Sequence, residues 1–212
     1  MKLEFIASPE QIRPSLALQV LLPRAGGPWP QQHLEACAKA VKQTGAIVCT
    51  APFESNGRVA MAYIGPEGPV LQSACFLPAE PAGYTAGEDV TVFNTQFGAL
   101  AMACGVDSLQ PQYARAAALK GCQLLVCGLW QPGREYLLAG PWSGAQANCM
   151  AVAVAQPQEG QLLLPCTLTP DKSGFGRAKF EPQELAEAYK DFPVFDCMDA
   201  SLYARYKEEL LQ

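Results

Sequence analysis

The feature that most constrains this chain is a succession of short apolar runs, each bounded by Gly, Pro or Asn, several of them apolar on both faces. Runs at 3–7, 46–50, 58–64, 70–75, 90–94, 99–104, 123–127, 149–155 and 162–166 have strand length and strand boundaries. A strand that is apolar on both faces must be covered on both sides, as in layered α/β proteins, whereas a half-solvated antiparallel sheet would alternate. Helices fall between the runs. Leu34, Cys37, Ala38 and Val41 share one face of a predicted helix over 31–44 that Gly45 closes, and Pro111 opens a second over 111–120 that stops at Gly121. Two more are predicted over 182–190 and 201–211. Gly65-Pro66-Glu67-Gly68 is a tight-turn signature joining two strands into a hairpin, and the Gly/Pro stretches 24–30 and 77–87 read as loops.

With 212 residues, half of them apolar, the chain suffices for one well-buried domain over 1–212. Its formal net charge of −5, its pI near 4.9 and the lack of any Lys/Arg cluster longer than a pair leave no electrostatic footprint for nucleic acid or anionic lipid. No apolar run approaches the roughly 18–20 residues of a membrane span, and Met1-Lys2-Leu3-Glu4 opens no signal-peptide core, so a cytoplasmic location is expected. The nine cysteines are scattered and mostly embedded in Ala/Val/Leu runs, which makes them small buried hydrophobes. No C-x-x-C occurs and His33 is the only histidine, so neither a metal nor a cofactor is expected. His33 itself reads as a surface or helix-start residue, having no acid or thiol beside it in sequence.

Taken in order, these segments resemble the nitrilase (carbon–nitrogen hydrolase) superfamily over nearly the whole chain. Residues 3–10, Leu-Glu-Phe-Ile-Ala-Ser-Pro-Glu, resemble its strand ending in Pro-Glu, and residues 63–68, Tyr-Ile-Gly-Pro-Glu-Gly, resemble the hairpin before its lysine segment. Residues 98–107, Gly-Ala-Leu-Ala-Met-Ala-Cys-Gly-Val-Asp, followed by Pro111 and Arg115, resemble the nucleophile strand, elbow and next helix. Ala145, Asn148 and the strand ending at Gln156 resemble its later Arg-Ala-x-Glu-Asn helix and strand, with Gly144 and Ala147 where that motif carries Arg and Glu. The resemblance implies an αββα four-layer sandwich, association through helix faces into a homo-oligomer, at least a dimer, and a small amide-like ligand.

The resembled chemistry uses a cysteine thiolate on an amide or nitrile carbon, a glutamate to manage its proton and a lysine to stabilise the oxyanion. Glu10 follows a strand and a proline and takes the glutamate role, as a carboxylate whose desolvation should raise its pKa. Ala74 stands in the lysine place. With Gly98 and Asp107 as anchors, Gly105 stands in the cysteine place, and Cys104 lies one residue earlier, on the other face of the strand. Cys104 is then either a buried structural thiol or a displaced nucleophile. Glu80 matches a second pocket acid of the family or is a solvated loop acid. Trp130 and Trp142 flank a segment resembling one edge of the family's site, so Gly105, Asp107, Trp130 and Asn148 are the candidate binding residues. The family also carries a strand and helix before its Pro-Glu strand, which in this register leaves the chain N-terminally shortened, with an open sheet edge.

Three functions follow. A catalytically inactive binding or interaction module accords with the loss of both thiol and cation. An active amidase-type hydrolase would need Cys104, Glu10 and a cation such as Lys120, Arg134 or Arg58 folded in from elsewhere. A purely structural role would use the Ala-rich face 114–118 for subunit assembly.

Overall fold

In the computed structural model the residues described are 2–75, 84–130, 136–165, 177–179 and 182–191. Along the chain run β1 (Lys2–Ile6), β2 (Leu18–Leu21), α1 (Gln32–Thr44), β3 (Ile47–Cys49), β4 (Phe53–Ser55), β5 (Arg58–Gly65) and β6 (Gly68–Ser73). The second half carries β7 (Val92–Thr95), β8 (Gly98–Cys104), α2 (Pro111–Leu119), β9 (Leu124–Gly128), α3 (Tyr136–Asn148), β10 (Ala151–Ala155), β11 (Gly160–Leu163), β12 (Arg177–Lys179) and α4 (Pro182–Asp191). One sheet has the order β12-β1-β2-β3-β5-β4, with β6 also paired to β5, and the other has β11-β10-β9-β8-β7.

The two-sided apolar strands are what make four layers. In β8, Leu100, Met102 and Cys104 enter the core between the sheets, while Ala101 and Ala103 face the other way, against Tyr113, Ala114 and Ala117 of α2. On the first sheet Val20 and Cys49 point inward, whereas Leu21 and Val48 pack outward on Cys37 and Val41 of α1. Each fully buried Leu or Met contributes on the order of 1.5–3 kcal/mol of apolar burial. The result is an αββα sandwich of mixed sheets, as expected. At two points the sheets approach too closely for a side chain: a β-carbon on Gly160 would meet Phe5 at 2.0 Å, and one on Gly128 would meet Pro52 at 2.6 Å.

Local signals end where the sequence placed them. Gly45 caps α1 at φ 68° with its N–H on Val41 O, and β5 and β6 pair through the Gly65–Gly68 hairpin with Gly68 at φ 100°. The N-terminal expectation needs correction. β1 and β2 are parallel neighbours, and the link 7–17 between them holds a 3-10 turn, Pro9–Gln11. Gln19, fully buried in β2, anchors that link by donating to Arg13 O at 2.7 Å and accepting from Arg13 N. The open edge expected beside β1 is covered by β12, which pairs with it antiparallel from Lys2 to Glu4. The helix predicted over 201–211 lies outside the described residues. No described helix is long and apolar enough to cross a membrane.

Candidate functional site

The site builds from the end of β8. After Cys104 the chain leaves the sheet in a 3-10 turn, Gly105–Leu109, which begins with Gly105 in the left-handed region at φ 61°. The indole of Trp130, just beyond β9, lies over that residue: a β-carbon on Gly105 would sit 2.3 Å from its Cη2 and 2.5 Å from its Cζ3. No side chain fits there while the ring stays. Ser108 Oγ donates to Gly105 O at 2.7 Å and fixes the turn from below.

Asp107, 1% exposed, ties this elbow to the end of β6: the Cys75 N–H is shared between its two carboxylate oxygens at 2.9 and 3.1 Å. Ala74, next door, is buried in the same inter-sheet core as Cys104 and Trp130, its N–H on Val59 O and its carbonyl accepting from Gly87 N. The structure thus brings Ala74, Cys104, Gly105, Asp107 and Trp130 together at one end of the core. Burial, with Asp107 and Cys75 adding to it, holds the Cys104 thiol well above the ordinary range, and burial lifts Cys75 to about 11. Neither thiol is a thiolate near neutral pH.

The other candidates stand apart. Glu10 is exposed in the Pro9–Gln11 turn, and its pKa is lowered, first by a hydrogen bond from Ser8, then by its own backbone N–H and by His33. This corrects the expectation of a desolvated carboxylate with a raised pKa: the turn leaves the group in water and surrounds it with donors. Asn148, at the end of α3, donates from Nδ2 to Gly144 O at 2.8 Å and lines an outer groove between α2 and α3 of about 410 Å³, not the elbow. Lys120 is committed to Asp89 at 2.6 Å on the surface, and Arg58 begins β5 opposite Ser55, half-exposed. Glu80 and Arg134 lie outside the described residues. Among the described residues no group of three or more His, Cys, Asp or Glu could hold a metal.

His33 departs from the surface role expected of it. It is buried near the start of α1, stacked on Trp29 with ring centroids 4.9 Å apart, with Cys37 Sγ 3.7 Å from its Nε2. Burial lowers its pKa to about 4. Sequence reasoning also missed the role of Trp130, because nothing in the local pattern says which glycine an indole will cover.

The comparison with solved structures decides the fold. A carbon-nitrogen hydrolase from Helicobacter pylori G27 superposes with a TM-score of 0.75 at 11% identity, over 100% of this chain and 97% of its own. The chain has the nitrilase-superfamily fold. The NitN amidase of Nesterenkonia sp. AN1 follows at TM-score 0.72 and 14% identity, over 97% of this chain and 99% of its own. Nit3 of Saccharomyces cerevisiae, from branch 10 of the nitrilase superfamily, gives 0.63 at 14% identity over 84% and 81%. No protein-family profile and no curated protein sequence matches the chain.

Proposed function

We propose that this nitrilase-fold chain is a binding or interaction module that does not turn over amides or nitriles. The observation that carries the reading is Trp130 seated on Gly105. In a mutant of the Nesterenkonia amidase the acetamide moiety of fluoroacetamide is covalently added at the active-site cysteine. In the register of the resemblance, that role falls at a position here with no side chain and no room for one. Ala74 supplies no cation to hold an oxyanion, and Cys104, one residue away, is sealed in the core as a neutral thiol. Glu10, which the resemblance puts in the glutamate role, lies exposed in the Pro9–Gln11 turn. Self-association belongs to the same proposal, with the small residues facing the α2–α3 groove, Ala116, Gly144 and Ala147, as the surface for it, checked by sedimentation at tens of micromolar.

The test is incubation with acetamide and propionitrile while following ammonia, alongside labelling with iodoacetamide under native conditions. No ammonia above buffer and no modification of Cys104 are expected. Ammonia release that disappears in Cys104→Ala, or fast stoichiometric labelling of Cys104, would overturn the reading.

A further inference from the structure

Near the start of α1 an imidazole and a thiol face each other in an apolar setting. His33 and Cys37 stand at i and i+4, which puts both on one face of the helix, and Cys37 Sγ lies 3.7 Å from His33 Nε2. Cys37 is fully buried in the apolar layer between α1 and the first sheet, and His33 is 5% exposed. The imidazole is held by Trp29, stacked on it with 10° between the ring planes. Trp29 is fixed in turn by its backbone, whose N–H donates to Pro52 O at 2.8 Å and whose carbonyl accepts from Glu54 N at 2.7 Å. The two donor atoms are thus in place before any ligand arrives.

At bond lengths of about 2.0 Å to nitrogen and 2.3 Å to sulfur, two donors on one metal ion stand about 3.5 Å apart at a tetrahedral angle and about 4.3 Å apart in a straight line. The observed 3.7 Å falls between these limits, so an ion replaces the thiol proton with the donors moving by about 0.6 Å at most. Burial lowers the His33 pKa to about 4, which keeps the ring an unprotonated ligand at neutral pH. The setting also selects the charge of the ion. One thiolate neutralises a monovalent cation, whereas a divalent one would leave a net positive charge in the apolar layer, and among the described residues no third His, Cys, Asp or Glu joins the pair. Thiolate and imidazole together suit soft ions. We propose that His33 and Cys37 form a two-coordinate site for a soft monovalent cation of the Cu(I) class. On binding, the Cys37 S–H bond breaks and its proton leaves to solvent, Sγ and Nε2 each give a lone pair to the ion, and nothing is oxidised or reduced. The negative charge of Glu10, which acts on both groups from the Pro9–Gln11 turn, favours a cation there.

The site lies on α1 and does not rest on catalytic silence. His33 is the only histidine, so a chain made with nitrogen-15 histidine reports on one imidazole ring. The probe is Ag(I) in chloride-free buffer, equilibrated overnight because the pair is buried. The background carries Ser at positions 75, 149, 166 and 197, which leaves the thiols of Cys37, Cys49, Cys104, Cys122 and Cys127, all buried. Ag(I) is expected to shift the Nε2 resonance saturably at one equivalent, and Zn(II) at the same concentration to leave it in place. Cys37→Ser and Cys37→Ala are each expected to raise the Ag(I) concentration needed at least a hundredfold, with amide spectra unchanged outside α1 as the check on folding. A ring unmoved by excess Ag(I), which would leave the pair a plain hydrogen bond, a shift retained in both Cys37 variants, or an equal shift with Zn(II) would overturn the proposal. The comparison of Ag(I) with Zn(II) on the intact pair stands even where a Cys37 variant fails to fold.

Discussion

Asp107 and Glu10 are both carboxylates placed shortly after a strand, and they meet opposite fates. Asp107 follows β8 into a turn that folds back under the sheets, where it is buried and accepts the Cys75 N–H with both oxygens. Glu10 follows β1 into a turn that faces water, where a hydrogen bond from Ser8, its own backbone N–H and His33 lower its pKa. The contrast shows that a strand, a bend and an acid do not make a site: what converts an acid into a structural or chemical element is whether a second segment arrives to desolvate and pair it.

The largest test of that contrast is at the sealed end. Gly105→Cys forces a side chain into Trp130 and onto a left-handed backbone, and should cost about 3 kcal/mol or more, a Tm loss of roughly 6–12 °C in a chain this size. Trp130→Gly is itself destabilising, but in Gly105→Cys/Trp130→Gly the two effects should sum to less than their separate values by about 1–3 kcal/mol, measured as a thermal double-mutant cycle. Strict additivity would break the claim that the indole and the absent side chain compete for one space. Only that double variant, with or without Ala74→Lys, should expose a thiol at position 105 to iodoacetamide.

Next in size is Asp107→Ala. It leaves the half-buried Cys75 N–H without its acceptor and should cost about 1–2 kcal/mol by urea denaturation, with the end of β6 losing amide-exchange protection first.

The third prediction concerns the histidine beside the hydrated turn. Because His33 takes a proton near 6.5 when unfolded but only near 4 when folded, the unfolded chain binds more protons between those values. Its contribution is therefore complete above pH 6.5 and is lost as pH falls towards 4, by about 2–3 kcal/mol. Unfolding free energies at pH 7.5 and 4.5, compared with those of His33→Phe, isolate this slope. Equal slopes in the two proteins would mean that His33 is hydrated after all.

The smallest effect belongs to Glu10. Glu10→Gln should leave Tm and native thiol reactivity unchanged and should shift only the His33 titration, slightly downward, as the nearby negative charge is removed. A large loss of stability there would erase the distinction between the two carboxylates.

Much of this was legible without coordinates, because it rests on local chemistry and periodicity. Two-sided apolar runs at 99–104, 123–127 and 149–155 require covering layers whatever their partners, and Pro111, Gly45 and Gly65–Gly68 start and stop elements through their own backbone preferences. The resemblance puts Gly105 in the thiol place and Ala74 in the cation place, one after β8 and the other after β6. Other elements escaped. The four-residue β2 and three-residue β4 are too short to show a period, and α3 contains Pro141 and two glycines that mask its helix. Only the tertiary structure could decide that Trp130 covers Gly105, that Asp107 reaches Cys75 across 32 residues, and that Trp29 pairs with Phe53. These are contacts between segments distant in the chain. They are set by how two twisted sheets stack, and no local propensity carries that information.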